Sequence, residues 1–220
     1  MMLEGGVMPP YSTALRAEGI RGGRIMNDLF PIFLRLSGRR ALVVGGGQMA
    51  AVRVRQLLAA GARVTVVAPV FSEPVRELAS NKSVDLHARE FAPEDIPPDC
   101  LIVIGATDDP STQQTVARES ERRGLLYNVV DDVEHCNFFT PAVVERGDLK
   151  IAITTNGQSP VLARRLREHM ESAIPESMDS WVRQLGDLRR RLRFEIPVGF
   201  ETRKRIIEDV IARTIEHERN

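Results

Sequence analysis

The sequence predicts an α/β protein in which a parallel sheet, covered by helices on both faces, precedes a small β-hairpin and a helical C-terminal segment. Two observations carry this prediction. Between residues 40 and 130, short apolar runs alternate with helical patterns, and these runs are continuously apolar, as strands buried on both faces are. After residue 132 the alternation stops, and two strand-like segments joined by a glycine turn precede amphipathic helices.

The first strand, Ala41–Val44, runs directly into three glycines, and a helical pattern then opens at Met49. The segment Gly45-x-Gly47-x-x-Ala50 therefore joins strand to helix in the form of a dinucleotide-binding fingerprint. Gly45 makes the tight turn, Gly47 lets the backbone approach a pyrophosphate, and Ala50 lets the helix pack closely on the strand. The helix N-terminus offers free N–H groups to the phosphates. A tight turn without a ligand is the alternative interpretation.

The other elements follow from hydrophobic periodicity and turn residues. Ser159 is the expected N-cap of a helix that starts at Pro160, where the missing N–H of proline costs nothing. Apolar stripes on either side of Pro197 predict a helical tail. The sequence predicts strands at 63–68, 84–87, 101–106 and 125–130, helices at 73–79 and 111–123, and a hairpin of strands 139–145 and 149–154 turning at Arg146–Asp148.

Charge balance bounds the partners. The 30 Lys and Arg residues equal the 30 Asp and Glu residues, which argues against nucleic acid or an anionic membrane as partner. Basic clusters occur at 189–191 and 203–205 and are interpreted as solvated faces of amphipathic helices. No apolar run approaches the length of about 20 residues that a membrane span needs.

The cysteine content and the N-terminal residues indicate in which cellular compartment the protein is expected. Cys100 and Cys136 form no disulfide framework, so we expect a cytoplasmic protein. Next to His135, Cys136 has no second ligand at metal-binding spacing, and no metal site is expected. Residues 1–25 lack an apolar signal core and are interpreted as a disordered extension, with Met26 as an alternative start.

Ligands of open parallel sheets bind outside the carboxyl ends of the strands. The ends of the second and fourth strands therefore provide candidate residues for contact with the cofactor. The second strand ends at Pro69–Val70, without the acid that many dinucleotide folds place on the adenosine ribose. No arginine follows for a 2′-phosphate, which favours NAD over NADP. At the end of the fourth strand, Thr107 and Asp108 are candidates to face the cofactor, while Asp109 or Ser111 is expected to cap the next helix.

The fifth strand ends in Asn128-Val129-Val130-Asp131-Asp132. A carboxylate pair at this edge is either part of a solvated turn or a general acid/base beside the nicotinamide. Between the two carboxylates, Asp131 is favoured over Asp132 as the catalytic group.

Five separated motifs occur in the order of one known family, and together they identify the chain as a member of it. The region from about Met26 to Arg167 resembles the precorrin-2 dehydrogenase family, the dehydrogenase/ferrochelatase module of siroheme synthase, whereas the remainder agrees only in being helical. The motifs are Leu29-Phe30-Pro31-Ile32-Phe33, Gly45-Gly46-Gly47, Ala106-Thr107-Asp108-Asp109, Asn128-Val129-Val130-Asp131 and Gly157-Gln158-Ser159-Pro160-Val161-Leu162-Ala163-Arg164.

This resemblance implies a Rossmann-like fold, NAD as cofactor, and oxidation of the tetrapyrrole precorrin-2 to sirohydrochlorin, with ferrous iron as a further substrate in some members. It also implies a homodimer whose hairpin-and-helix modules interlock, and it places the essential aspartate at Asp131. The expected cofactor-binding residues are Gly45, Gly46, Gly47, Gln48, Met49, Pro69 and Val70, joined by Thr107 and Asp108; the expected substrate-binding residues are Asn128, Thr155, Gly157, Ser159 and Arg164.

The expected domain division is a dinucleotide-binding domain at 26–139, a dimerisation module at 140–173 and a helical tail at 174–220. Two alternatives to a dehydrogenase stay open. One is a bifunctional enzyme that also inserts iron, because the same aspartate can take protons from the pyrrole nitrogens. The other is a non-catalytic module that senses NAD, which needs the glycine fingerprint but not Asp131.

Overall fold

The structure, a computed structural model, describes residues 29–80 and 82–217, with side chains to Arg213. The extension expected at 1–25 and the alternative start at Met26 lie outside the described residues. A six-stranded sheet forms the N-terminal part, in the strand order β3-β2-β1-β4-β5-β6. Its strands are β1 (Arg40–Val44), β2 (Arg63–Ala68), β3 (Val84–Ala88), β4 (Cys100–Gly105), β5 (Leu126–Val129) and β6 (Asp132–Cys136).

Strands β1 to β5 are parallel, and helices cover the sheet on both faces. The helices between them are α1 (Gln48–Ala59), α2 (Glu73–Leu78) and α3 (Pro110–Arg122). Side chains alternate along β1, so Val43 packs with α1 while Leu42 packs with α3. Both are fully buried, which explains why the predicted strands are apolar at every position. The expected α/β fold is confirmed.

Strand β6 was not predicted. It runs antiparallel to β5 at the edge of the sheet, and Val130 and Asp131 form the turn between them. Its residues are mostly exposed, so no apolar run marks it in the sequence. The sequence analysis missed this strand because an edge strand is stabilised by backbone pairing and needs little apolar surface.

The predicted hairpin forms, with β7 (Ala142–Arg146) and β8 (Leu149–Ile153) as a separate two-stranded sheet. Strand β7 begins at Ala142 and not at residue 139 as predicted, since Pro141 before it has no N–H to donate. Helix α4 (Pro160–Ala173) packs on β7, and the Arg146 guanidinium fastens the two by donating to the Glu171 carbonyl oxygen at 2.7 Å.

The C-terminal segment is helical as predicted, with α5 (Met178–Phe194) and α6 (Phe200–His217) packed against each other. Helix α5 also contacts β8, and the backbone N–H of Asp148 in the hairpin turn donates to Asp179 of α5 at 3.4 Å. Within the described ranges, none of the helices combines the length and apolar composition needed to cross a bilayer.

Candidate active site

The register of the sheet brings three loops to one edge. Val44, Gly105 and Val129, near the ends of β1, β4 and β5, are paired side by side. The hydrogen bonds continue past the strand ends, since Ala106 N–H donates to Val44 O at 2.7 Å and Val130 N–H donates to Gly105 O at 2.8 Å. The glycine turn, the Ala106–Thr107 loop and the Val130–Asp131 turn therefore lie in a row, and two strand spacings of about 4.8 Å separate the first from the last.

The glycine turn is packed too tightly for side chains at its first two positions. Gly45 has φ +125°, and a Cβ there would overlap the carbonyl oxygen of Ala106. A Cβ on Gly46 would overlap the carbonyl oxygen of Val70 from the loop after β2. Both glycines are therefore required by the fold itself.

Gly47 differs from its two neighbours. It is the N-cap of α1, without a side-chain cap, and a Cβ placed on it would meet no atom within 4 Å. The fold leaves open space at this position, in front of the exposed first-turn residues Gln48 and Met49. Space above uncapped N–H groups is the geometry that a pyrophosphate requires, so the residues present fit a dinucleotide.

The loops after β2 and β4 flank this space. Pro69 and Val70 are exposed beside Gly46, on the side expected for the adenosine, and offer no carboxylate there. On the other side, Thr107 is half-buried and Asp108 is exposed. Asp109 caps α3, as predicted, and hydrogen bonds from Thr112 and Ser111 lower the pKa of its carboxyl to about 2.

Asp131 occupies the tip of the β5–β6 turn. Its φ of +64° places it in the left-handed region, which Asp tolerates better than most residues. Its side chain is exposed at the carboxyl edge and receives no hydrogen bond from any residue of the described ranges.

The neighbouring carboxylate is already engaged. Asp132 Oδ1 accepts from the backbone N–H of His135 at 3.2 Å, and its Oδ2 lies 2.7 Å from Nδ1 of the same histidine. Of the two adjacent carboxylates, Asp132 therefore holds β6 in shape, while Asp131 is available to a ligand.

Arg53 on α1 was missed by the sequence analysis. It is half-buried, its Nε is shielded from solvent without an acceptor in the described structure, and its Nη1 donates to Gln56 at 3.1 Å. Burial lowers the pKa of this guanidinium, while the negative charge of the nearby Asp131 carboxylate raises it. A positive charge therefore lies near the Asp131 turn. Because this proximity depends on the missed β5–β6 hairpin, no sequence spacing indicated it.

Asn128 lies in β5 below this turn and is buried. Its Nδ2 donates to the Phe138 carbonyl oxygen at 3.1 Å and to Cys136 Sγ at 3.3 Å. Burial raises the pKa of the Cys136 thiol, which also accepts from Val129 N–H and donates to Asp132 O at 2.9 Å. These bonds hold the Asp131 turn from beneath.

The remaining predicted substrate residues lie in the second module. Thr155 Oγ1 accepts from Ser159 N–H at 3.0 Å, Ser159 Oγ caps α4 by accepting from Leu162 N–H at 3.2 Å, and Gly157 has φ +76° between them. Arg164 is exposed and pairs with Glu168 at 3.3 Å. Among the described residues, no hydrogen bond or ion pair joins Thr155, Gly157, Ser159 or Arg164 to the sheet edge of the same chain.

Metal-binding groups are sparse. The described residues contain no cluster of three or more His, Cys, Asp or Glu side chains placed to hold a metal ion. The candidate site therefore consists of the open space at Gly47, with the exposed carboxylates of Asp108 and Asp131 on the loops beside it.

Comparison with known proteins agrees with this geometry. The family described as putative NAD(P)-binding matches residues 32–142, about half of the chain, and the family described as sirohaem biosynthesis protein central matches residues 146–173. The chain belongs to the putative NAD(P)-binding family, and its second module matches the sirohaem biosynthesis central family. The first match ends where the sheet ends, and the second covers the hairpin turn, β8 and α4.

Siroheme synthases are among the similar proteins. The chain is 39% identical to siroheme synthase 3 of Aeromonas hydrophila over 166 residues, which cover 76% of this chain and 35% of that protein. It is 36% identical to siroheme synthase of Chromobacterium violaceum over 184 residues, which cover 84% of this chain and 39% of that protein. The chain thus spans little more than a third of the length of these relatives.

A solved structure matches across both modules. The precorrin-2 dehydrogenase SirC superposes with a TM-score of 0.72 at 28% identity, covering 83% of this chain and 89% of that chain. The likeness extends beyond the dinucleotide-binding fold, because coverage of this breadth has to include residues after the sheet.

Proposed function

We propose that the chain oxidises precorrin-2 to sirohydrochlorin with NAD, and that Asp131 is the general base. The observation that carries the proposal is that an open glycine cradle and a carboxylate with no partner share one sheet edge, in a chain similar over most of its length to SirC. The spacing of about 10 Å across two strands suits a dinucleotide whose pyrophosphate lies at Gly47 and whose nicotinamide lies near Asp131.

In the proposed reaction the macrocycle loses a hydride and a proton, and each goes to a different acceptor. A C–H bond breaks and its hydride goes to the nicotinamide, which becomes reduced, while a proton leaves for a base. Asp131 is suited to take that proton, because its carboxylate is exposed and has no bond to break first. The Arg53 guanidinium of α1 places a positive charge near the same turn. NAD is proposed over NADP because Val70 is followed by no nearby cation for a 2′-phosphate.

We propose that Thr155, Gly157, Ser159 and Arg164 bind the substrate in the neighbouring subunit of a homodimer. Within one chain they have no polar contact to the sheet edge, so a second copy is needed to bring a guanidinium and the N-terminus of α4 to the carboxylates of the substrate. Exposed Val161 and Leu162 on α4 offer apolar surface for that contact. The proposed division remains 26–139, 140–173 and 174–220, in a protein of the cytoplasm.

The decisive experiment follows the absorption spectrum of precorrin-2 mixed with NAD and purified protein. Asp131→Ala should fold and bind NAD but turn over about 100-fold more slowly, the usual contribution of a general base. Asp132→Ala is the matched control and should be much milder. If Asp131→Ala keeps nearly full turnover while Asp108→Ala abolishes it, the base lies in the loop after β4 and the assignment is wrong.

The same assay separates the alternatives. NAD binding without any turnover would mean a sensing module and would contradict the proposal. Adding ferrous iron distinguishes a dehydrogenase from an enzyme that also inserts the metal. In the second case, Asp131→Ala should reduce insertion as well, because the same carboxylate would receive the pyrrole protons.

A further inference from the structure

A groove between α5 and α6 is lined by cations above an apolar floor. Arg189 and Arg193 line it from α5, and Phe200, Arg203, Lys204 and Ile207 line it from α6, around a cavity of 570 Å³. This volume is within the range of about 300–1,000 Å³ that small-molecule sites occupy. The sequence analysis interpreted both basic clusters as solvated faces, but the tertiary structure brings Arg189 of the first cluster and Arg203 and Lys204 of the second onto one surface.

The arginines of α5 and α6 in and around the groove fall into two classes. Those of α5 that do not line it have carboxylate partners: Arg183 pairs with Asp179 at 2.6 Å, Arg191 pairs with Glu195 at 3.5 Å, and Arg190 pairs with Asp187. The groove arginines at 189, 193 and 203 have no carboxylate within ion-pair distance among the described residues. The one acid in the groove, Glu208, lies 3.8 Å from Lys204. Three guanidinium charges thus converge without an anion.

The same groove presents flat apolar and aromatic surface. Phe200 is 69% exposed, and Ile207 is half-buried beside it. The Arg193 guanidinium lies over the ring of the neighbouring Phe194, with its Cζ 5.2 Å from the ring centre. Guanidinium groups both stack on aromatic systems and bind carboxylates in a bidentate manner.

We propose that this groove is a second binding site for a planar polycarboxylate, which the tetrapyrrole of the proposed function exemplifies. The inference rests on the proposed function for the identity of its ligand. An apolar macrocycle fits over Phe200 and Ile207, while carboxylates at its rim pair with Arg189, Arg193 and Arg203. No residue of the groove belongs to the sheet or its loops, so the macrocycle held here is away from the cradle at Gly47.

Charge complementarity selects this occupant over a nucleic acid. The whole chain has a formal net charge of +0, so no long-range field recruits a polyanionic strand, and the guanidinium groups at 189, 193 and 203 lie within one pocket-sized groove. A compact ligand with several carboxylates matches three unpaired guanidinium groups, whereas a nucleic acid needs a continuous basic track.

The test titrates the full-length protein, without NAD, with uroporphyrin, a stable octacarboxylate porphyrin. Trp181, the single tryptophan, lies on α5 eight residues before Arg189, or about 12 Å along the helix, and its quenching reports the bound porphyrin. Arg189→Gln/Arg203→Gln should weaken binding about tenfold, since each guanidinium makes a charge-assisted bond to the ligand. The matched control Arg190→Gln/Arg191→Gln removes the same charge from paired positions and should change binding less than about twofold.

Each result decides the inference. Equal affinity of the two double variants overturns it, and so does displacement of uroporphyrin by a single-stranded oligonucleotide at comparable concentration. If the groove double variant does not fold by circular dichroism, Phe200→Ala removes an exposed ring and should weaken binding in its place, while unchanged affinity overturns the inference. Because the titration needs no turnover, a wild-type protein that binds uroporphyrin in the groove but does not oxidise precorrin-2 refutes the proposed function alone.

Discussion

The sheet region and the residues after 140 bury apolar surface very differently. In the sheet region, Leu42, Val43, Val66 and Val103 are fully buried between helices on both faces. Beyond residue 140, the buried apolar side chains of the described structure are Val144, Ala163 and Leu192. Large apolar side chains of the second region are exposed instead, Val161 by 72% and Phe200 by 69%.

This difference indicates that the two regions bury their apolar side chains in different ways. The sheet closes its own core, so its shape is specified within one chain. A two-stranded hairpin with one covering helix cannot do so, and its remaining apolar surface is expected to meet a second copy or a ligand. The sheet edge and its loops are thus specified within one chain, while the proposed substrate residues of the second region are expected to depend on assembly.

The largest expected effect comes from charging the exposed face of α4. Leu162→Glu should convert the dimer to monomer and lower turnover about 100-fold, because the loop at 155–159 then no longer reaches a neighbouring sheet edge. Val52→Glu, at a similarly exposed apolar position on α1, is the control and should leave assembly unchanged. Sedimentation measures the mass, and a stable wild-type monomer at low micromolar concentration would contradict the comparison.

The next effect concerns the cofactor alone. Gly47→Asp should leave the fold intact, since its Cβ has open space, but weaken NAD binding at least about tenfold through repulsion of the pyrophosphate. Gly186→Asp adds the same carboxylate at an equally open glycine of α5 and should have no effect on NAD. Titration calorimetry provides both affinities. Unchanged NAD affinity in folded Gly47→Asp would mean that the cradle is only a tight turn.

A smaller effect is expected at Arg53, which lies on α1 and places a positive charge near the Asp131 turn. Arg53→Met keeps the apolar stem but removes the charge, and it should lower kcat about tenfold with little change in KM. Arg53→Lys should restore part of kcat, because the positive charge returns. Arg55→Met, exposed on the same helix, serves as the control. An equal loss in both variants would point to a general effect on α1.

The smallest effect concerns the pH dependence of the α3 cap. The folded-state pKa of Asp109 is lowered to about 2 by hydrogen bonds from Thr112 and Ser111, below the ordinary aspartate value of 3.8. A lowered pKa means that this stabilisation is present above about pH 3.8 and is lost as the pH falls towards 2. Asp109→Ala should therefore lower Tm slightly at neutral pH and not at pH 2. Thermal melts at both values measure the difference, and an equal loss at pH 2 would contradict the capping argument.

Elements with strong local signals were predicted well. Strand β2 was expected at 63–68 and lies there, and the Ser159 cap with Pro160 at the first helical position is present as predicted. Such features depend on a few consecutive residues. A strand buried on both faces needs apolar side chains, and a helix start favours a capping side chain followed by proline. The glycine cradle belongs to the same class.

Elements that depend on distant partners were predicted poorly or not at all. Strand β6 forms because Asn128 and Val129 offer a free edge, and its own sequence carries no strand pattern. Arg53 and Asp131 are far apart in the sequence. They lie near each other only because β1, β4 and β5 are aligned in one sheet. The sequence analysis assigned Arg189 and Arg203 to two separate basic clusters. Their shared surface arises from the packing of α5 on α6.

By itself, therefore, the sequence determined the α/β order, the glycine turn and the position of Asp131 after a buried strand, because each depends on neighbouring residues. The tertiary structure decided which carboxylate is free, since that depends on the hydrogen bonds between Asp132 and His135 in the edge strand. It also decided which arginines have partners, because ion pairing depends on helix faces and not on composition. Local propensities specify elements, whereas contacts between elements specify which functional groups remain available to a ligand.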